Sequence, residues 1–558
     1  VTDATGAAAS ATPDDDAADD APDDPGSGGI EPLPARTSAR TLAKAGLIVS
    51  STYLLSRILG YLRILVIGTT FGASADLDAF FAAFRIPDLI FQLVAAGAVA
   101  SALVPMVGGL LATGEQQRAW RVVSTVANIM LLALALLAAV AFVAAPPLVA
   151  AITPGFSAAQ LAKTVDLTRI MLAAPILLAL GAVATSALNA DRRFAASAVA
   201  PIVYNLAIIG AAVLLSSSLG VTGLAIGVVA GSFGHLAIQI PPLARAGFRY
   251  VPRIDLSDAD ARKALILMGP RILGLGASQI TIVVMTSLSS SLGEGAVSAF
   301  TIAFTLLQIP LGVIGIPLGI VIFPSLAREL AVGRTGLYLQ LVSRSLRILL
   351  FVMLPIAALG MVLRSQIVDL LLGYGRFDRA AVDLTAATLL LFLLGLAAHG
   401  SIGILARAFY ARQDTRTPVL AAILAVLINT TVGVLLVGPI GLPALGLAIA
   451  IAAWVEALVL LWILARREPD LDIRGIASVA ARSLVASAIA AGVATLVLNL
   501  LPGPGAAQPG KVAELIQAVI ASLAGGAAYL LASVALRIPE LGSIVAIVGD
   551  LARRRNRS

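Results

Sequence analysis

The stretch Ser56-Arg57-Ile58-Leu59-Gly60-Tyr61-Leu62-Arg63 sets two arginines inside an apolar run, and its core returns as Pro270-Arg271-Ile272-Leu273-Gly274. A cation at the middle of a bilayer costs roughly 2.5–3.5 kcal/mol on insertion scales, so its retention points to a use. The use that suits a guanidinium is holding an anion. The recurrence decides the architecture. Asn205, an apolar run and Gly223-Leu224-Ala225-Ile226 return as Asn429, an apolar run and Gly446-Leu447-Ala448-Ile449. Ala187-Leu188-Asn189-Ala190 matches Ala408-Phe409-Tyr410-Ala411, and the offsets stay between 214 and 224 residues. Six spans separate the copies, an even number, so both copies point the same way. That is a parallel repeat about an axis along the membrane normal, with a site expected between the halves.

Composition supports a membrane chain. Of 558 residues, 59% are hydrophobic and 12% charged, with a mean hydropathy of +0.98. Soluble domains carry about 25% charged residues. The chain has no cysteine, which excludes disulfides, thiolate metal sites and cysteine nucleophiles. Two histidines, His235 and His399, are too few to suggest a zinc enzyme. No Walker loop, metal-ligand cluster or nucleophile elbow is present, so no metal, cofactor or enzymatic activity is expected. The net charge of +7 reflects basic loops facing the cytoplasm rather than nucleic-acid binding. The acidic N-terminus lacks the pattern of a cleavable signal peptide.

Apolar stretches of about 20 residues are long enough to span. They fall near 44–69, 78–111, 121–145, 166–189, 195–217, 220–244, 264–289, 296–327, 342–363, 383–409, 417–438, 441–465, 478–501 and 513–536. This predicts an all-α polytopic membrane protein of about fourteen helices. With the N-terminus in the cytoplasm, alternate loops carry Arg118 and Arg121; Arg192 and Arg193; Arg245, Arg249, Arg253, Arg262 and Lys263; Arg328 and Arg334; Arg412 and Arg416; Arg466, Arg467 and Arg474. The basic run Arg553-Arg554-Arg555-Asn556-Arg557 then also lies in the cytoplasm. The positive-inside rule thus places both termini inside. The expected domains are a disordered acidic tail at 1–42, a six-helix lobe at 43–250, a second at 251–467, two extra helices at 468–540, and a basic tail at 541–558.

Arg57 and Arg63 stand about 240° apart around an ideal helix, so they share a face only if the helix bends. Gly60 between them permits a hinge. Either arginine could instead snorkel to an interface. Asp78 opens span two and could pair with Arg63, while either Asp76 or Asp78 could cap its own helix. Arg85 and Asp88 flank Pro87 at a spacing that lets them neutralise each other. Pro87 frees a backbone carbonyl, which a helix tolerates beside protein or a wet cavity. Pro310, Pro317 and Pro324 mark span eight as bent. Arg271 occupies the repeat position of Arg57, and two guanidiniums facing one cavity would suit a diphosphate. Gln308, His235, Gln239, His399 and Glu456 are lone polar residues, which more often bond helix to helix than hold a ligand.

The run from Ser56 to Arg63, then Phe71-Gly72, Asp78-Ala79-Phe80-Phe81, Phe84-Arg85-Ile86-Pro87-Asp88, Gly97 and Val104-Pro105, resembles the MurJ (MviN) lipid II flippase family. Phe409-Tyr410-Ala411-Arg412-Gln413-Asp414-Thr415-Arg416-Thr417-Pro418 resembles it as well, as does Met268-Gly269-Pro270 with Ser278-Gln279-Ile280. The resemblance covers about residues 44 to 536 and places the chain in the multidrug/oligosaccharidyl-lipid/polysaccharide exporter superfamily. It implies fourteen helices, a diphosphate held by cavity arginines, and a polyprenyl tail lying beside the last two helices. The family's two span-one arginines fall on Arg57 and Arg63, and its span-two aspartate on Asp78. Four family positions depart: Phe91 and Thr305 stand where arginines are usual, and Ala96 and Gln308 where acidic residues are. Asn429 is followed one turn on by Gly433 rather than an aspartate, which argues against a sodium site of the family's kind. Arg271 is the expected substitute for the cation missing at Thr305.

The function so implied is movement of an undecaprenyl-diphosphate-linked peptidoglycan precursor from the inner to the outer leaflet by alternating access. The resemblance implies location in the cytoplasmic membrane, driving by an ion gradient or the membrane potential, and peptidoglycan-synthesis proteins as partners beside the lipids. The alternatives are a flippase for another lipid-linked oligosaccharide, a cation-coupled small-molecule exporter and a non-transporting cell-wall scaffold. Cationic drugs would call for carboxylates in the cavity, whereas this chain offers mainly arginines. Proline-bent helices and buried arginines suit transport better than scaffolding.

Overall fold

A computed structural model describes residues 39–94, 98–255, 257–501 and 510–542. The tails expected at 1–42 and 541–558 lie almost wholly outside these residues, as does Gly97. All regular structure among the described residues is helical. The first eleven helices are α1 (Ala39–Phe71), α2 (Ala75–Val94), α3 (Ala98–Ala112), α4 (Gln116–Val143), α5 (Ala145–Ile152), α6 (Ala158–Met171), α7 (Ala173–Ala190), α8 (Phe194–Leu214), α9 (Ser216–Leu219), α10 (Val221–Ala237) and α11 (Ile240–Arg245). There follow α12 (Ala259–Ser290), α13 (Ala296–Pro310), a π-helical turn at Leu311–Gly315, α14 (Ile316–Ala331), α15 (Thr335–Val362), α16 (Arg364–Leu372), α17 (Arg379–Leu393), α18 (Leu396–Ala411), α19 (Arg416–Ile440) and α20 (Pro443–Arg467). The chain closes with α21 (Ile473–Leu500) and α22 (Lys511–Ala535).

The order repeats. A long helix (α1, α12) precedes two successive helices (α2 and α3, on either side of the undescribed 95–97; α13 and α14), then a long helix with a short appendage (α4–α5, α15–α16). A broken span follows (α6–α7, α17–α18), then a helix pair (α8 with α10, α19 with α20). Eleven helical stretches are long and apolar enough to cross a bilayer, and α17–α18, bent by 45°, makes a twelfth. Two of the fourteen expected spans fall outside that set. One is 78–111, which includes the undescribed 95–97. The other is 264–289, of which only Gln279–Ser290 qualifies, as a shorter apolar helix.

From Val49 onward the chain forms one unit. Its surface carries Leu136, Val143, Leu214, Leu435, Leu523 and Leu531, all well exposed. In hydrocarbon such a surface loses nothing, and helices associate instead through close packing and internal hydrogen bonds. Helices α21 and α22 show this. Ala486, Ala490 and Ala494 form a small-residue stripe along α21, and a Cβ on Gly525 of α22 would lie 3.0 Å from Ala490 O. Tyr529 Oη donates to Phe351 O at 2.6 Å, fixing α22 to α15.

Several elements of the two halves meet at the end of the unit where α1 stops. Gly72 (φ 70°) and Gly295 (φ 82°) turn the chain there, in the left-handed region that only glycine adopts freely. A Cβ on Gly72 would sit 2.4 Å from Arg376 O, and one on Gly295 2.5 Å from Ala73 O. Arg376 N donates to Thr69 O at 2.9 Å. The seal is therefore main chain against main chain. Val297 of α13, fully buried, packs into the apolar cluster of the first half beside Phe80 and Phe81.

Two prolines show their consequences. Pro87 has no N–H to give Ala83 O, and Thr168 Oγ1 of α6 approaches that carbonyl at 3.4 Å. Between Pro310 and Pro317 the helix widens into the π turn, as freed carbonyls permit. Tyr61 Oη of α1 donates to Gln308 O at 3.2 Å, just before that turn. Helix α1 runs unbroken through Gly60.

Candidate functional site

A cavity of about 610 Å³ lies between the halves. Helix α2 contributes Arg85, Asp88 and Gln92, and α12 contributes Gln279 and Thr281. Helix α13 adds Thr301, Thr305 and Gln308, and α18, α19 and α20 supply His399, Asn429 and Glu456. Both halves thus build it, as the repeat implied.

Arg85 bridges the halves. Its Nε donates to Thr286 Oγ1 at 3.1 Å and its Nη2 to Thr301 Oγ1 at 2.9 Å. Among the described residues it makes no contact ion pair with Asp88, so the mutual neutralisation expected from their spacing is not what holds the side chain. Asp88 instead lies within electrostatic reach of both Arg85 and Arg63 and is hydrogen-bonded by Gln92. Arg63 stacks over the Tyr204 ring, 5.6 Å from its centroid.

Asp78 does not pair with Arg63. It is fully buried and accepts from Gly295 N at 2.7 Å, Ser298 N at 2.7 Å and Ser298 Oγ at 2.6 Å. Gly295 is the N-cap of α13 and has no side chain to satisfy the first turn. The carboxylate of the other half takes that part, at the positive end of the helix. Nor does Asp78 cap its own helix. Its neighbour Asp76 pairs with Lys163 at 2.5 Å.

The remaining expected residues divide. Arg57 is exposed and absent from the lining of this cavity. Arg271 lies in α12, but its side chain is outside the described residues. Thr305 lines the cavity and donates to Thr301 O at 2.8 Å. Gln239 bonds α10–α11 to α7, accepting from Thr185 Oγ1 at 2.8 Å and donating to Gly181 O at 3.3 Å. It is a helix-to-helix contact, as is Asn205, which donates to Pro201 O at 2.9 Å and Ser56 O at 3.4 Å. Its repeat counterpart Asn429 is different. It is almost fully buried, and neither Oδ1 nor Nδ2 has a partner among the described residues. His399 Nε2 is likewise buried without one. Among the described residues no group of three or more His, Cys, Asp or Glu could hold a metal ion.

The arrangement is a polar chamber between two apolar helix bundles, with the Arg85 guanidinium in its wall. It can bind and release a charged group without covalent chemistry. Comparison with known proteins agrees. The profile described as lipid II flippase MurJ matches residues 67–508. A lipid II flippase MurJ from Burkholderia cenocepacia is 32% identical over 429 residues, covering 75% of this chain and 83% of that one. A solved structure described as lipid II flippase MurJ in an inward closed conformation superposes with a TM-score of 0.73 at 23% identity, covering 88% of this chain and 99% of that one. An inward-facing multidrug resistance transporter of the MATE family and MOP superfamily follows at 0.61 and 16% identity, covering 76% and 98%. The sequence match is extensive and the fold agrees with it: the chain belongs to the lipid II flippase MurJ family.

Proposed function

We propose that this protein is a lipid II flippase of the cytoplasmic membrane, carrying its cargo from the inner to the outer leaflet by alternating access. The observation that carries the reading is the cavity built by both halves, with Arg85 hydrogen-bonded across it to Thr286 and Thr301. A planar guanidinium held open in this way can exchange a threonine for a phosphate oxygen. Arg63, one helix away and seated on Tyr204, is the second cation available to a diphosphate. Movement requires the Asp78 lock to open while the π turn of α13–α14 flexes. The process is transport, not catalysis, driven by an ion gradient or the membrane potential. Both termini face the cytoplasm in this reading. Helix α21, with α15, α17 and Trp454 of α20, leaves an apolar groove lined by Leu354, Met361, Leu393, Leu484 and Leu498, which suits a polyprenyl tail.

The test is depletion and rescue. A bacterium whose own lipid II flippase is switched off should resume peptidoglycan synthesis when this chain is expressed, and Arg85→Ala should abolish the rescue. Failure of the wild-type chain, inserted at normal levels, would defeat the reading.

A further inference from the structure

The missing cation of the second half has a candidate on α18. Arg407 points its guanidinium at α14, where a Cβ on Gly319 would lie 2.3 Å from Nη1. Glycine at that position is what makes room. Nη1 donates to Gly403 O at 2.7 Å, one turn back on its own helix. The side chain is partly buried. Among the described residues no carboxylate pairs with it. A guanidinium inside a membrane bundle without a carboxylate is costly.

Arg407 borders a side chamber of about 210 Å³, together with Gln308, His399, Gly315 and Gly400. Gln308 and His399 also line the main cavity, so the chamber opens off its second-half wall. Thr305, where the family's usual arginine is missing, stands one turn from Gln308 on α13. His399 Nε2, buried and without a partner among the described residues, belongs to the same wall and is a second group open to a ligand. The π turn lines the chamber too, at Leu311 and Gly315.

We infer that Arg407 is the anion-binding cation of the second half. It takes a phosphate oxygen of a diphosphate in the Gln308–His399 chamber. The inference rests on the flippase reading and adds the residue that completes its site. An anion there sits against the π turn, so cargo arrival is felt where span eight bends.

The test uses the full chain in lipid nanodiscs and three probes: undecaprenyl diphosphate, undecaprenol with the same tail and no charge, and inorganic pyrophosphate. R407Q should weaken undecaprenyl diphosphate binding by about tenfold or more, the loss of one charge-assisted contact. Undecaprenol binding should not change. R407K should fall between, because an ammonium keeps the charge but not the fork. G319A keeps the charge while displacing the guanidinium from its seat, and should weaken the diphosphate lipid alone. Pyrophosphate that competes in wild type and not in R407Q supports a site for the bare diphosphate. Pyrophosphate that never competes, with R407Q still impaired, supports recognition of the lipid-linked form only. Normal diphosphate binding by R407Q overturns the inference. If R407Q fails to fold, normal binding by both R407K and G319A overturns it. A wild-type chain that does not distinguish undecaprenyl diphosphate from undecaprenol defeats the flippase reading and Arg407 with it, whereas unaffected variants against a discriminating wild type defeat Arg407 alone.

Discussion

Replacing Asp78 by Asn should unlock one end of the protein. The carboxylate is fully buried and accepts three hydrogen bonds from α13, at 2.7, 2.7 and 2.6 Å. Hydrogen bonds to a charged group are worth about 1.5–3 kcal/mol each. An amide keeps one acceptor oxygen, loses the charge, and turns a donor toward the N–H groups of α13. The contacts are not additive, so the net loss from the closed state is about 2–4 kcal/mol. At about 1.4 kcal/mol per factor of ten, the closed-to-open ratio shifts by roughly 30-fold to several hundred-fold. The absence of cysteine makes the assay clean. Val297→Cys places one thiol at a position with no exposure, beside the lock. In detergent solution, where reagent reaches both faces, maleimide should label that introduced thiol slowly while Asp78 is present. With Asp78→Asn added, labelling should be more than ten times faster. Equal labelling rates in two folded proteins would refute the assignment of Asp78 as the lock.

Three further outcomes follow from the geometry. Arg85→Lys should lose rescue of peptidoglycan synthesis and about 1 kcal/mol of stability, because one ammonium cannot span Thr286 and Thr301 as the fork does; wild-type rescue would contradict it. At Asp414, outside the spans, burial works to raise the carboxyl, but hydrogen bonds from Thr417 and the pairing with Arg467 bring it from 3.8 down to about 2. A depressed carboxylate stabilises above its unfolded value and loses that contribution as pH falls through its folded one, so Asp414→Asn should flatten the fall in unfolding temperature between pH 4 and pH 2, and an unchanged acid limb would count against it. Tyr529→Phe should cost about 1–2 kcal/mol by leaving the buried Phe351 carbonyl unpaired, read as a lower unfolding midpoint with insertion intact.

Much of the fold was legible because the bilayer imposes a simple rule. Runs of about 20 apolar residues must become helices, since only helices satisfy their own backbone in hydrocarbon. The repeat could be read from a few small and polar residues at one offset, and the succession of α1–α10 and α12–α20 follows it. The prolines of span eight pointed to a bend; what stands between Pro310 and Pro317 is a π turn. The site was less legible. The sequence offers Asp78 only a pairing with Arg63 or a cap on its own helix, whereas its partners Gly295 and Ser298 lie more than 200 residues away. A signal existed: Gly293-Glu294-Gly295 opens a helix with no capping side chain of its own. The likeness of Asn205 and Asn429 concealed a difference that only packing reveals, one satisfied and the other unpartnered. Nothing in the sequence sets Arg407 apart, two residues before Phe409, because the lack of a carboxylate beside it among the described residues is a property of space rather than of order along the chain.

The glycine-built seal at Gly72 and Gly295 separates two things that a gate usually combines. Main-chain atoms that part at that end can be rehydrated at once, so breaking the Arg376–Thr69 contact sets only a small threshold. Side-chain drift among the surrounding residues leaves that threshold where it is. Asp78 gathers three hydrogen bonds from the other half on one carboxylate. A flippase built this way can change its tempo through a single position while the shape of its doorway stays constant.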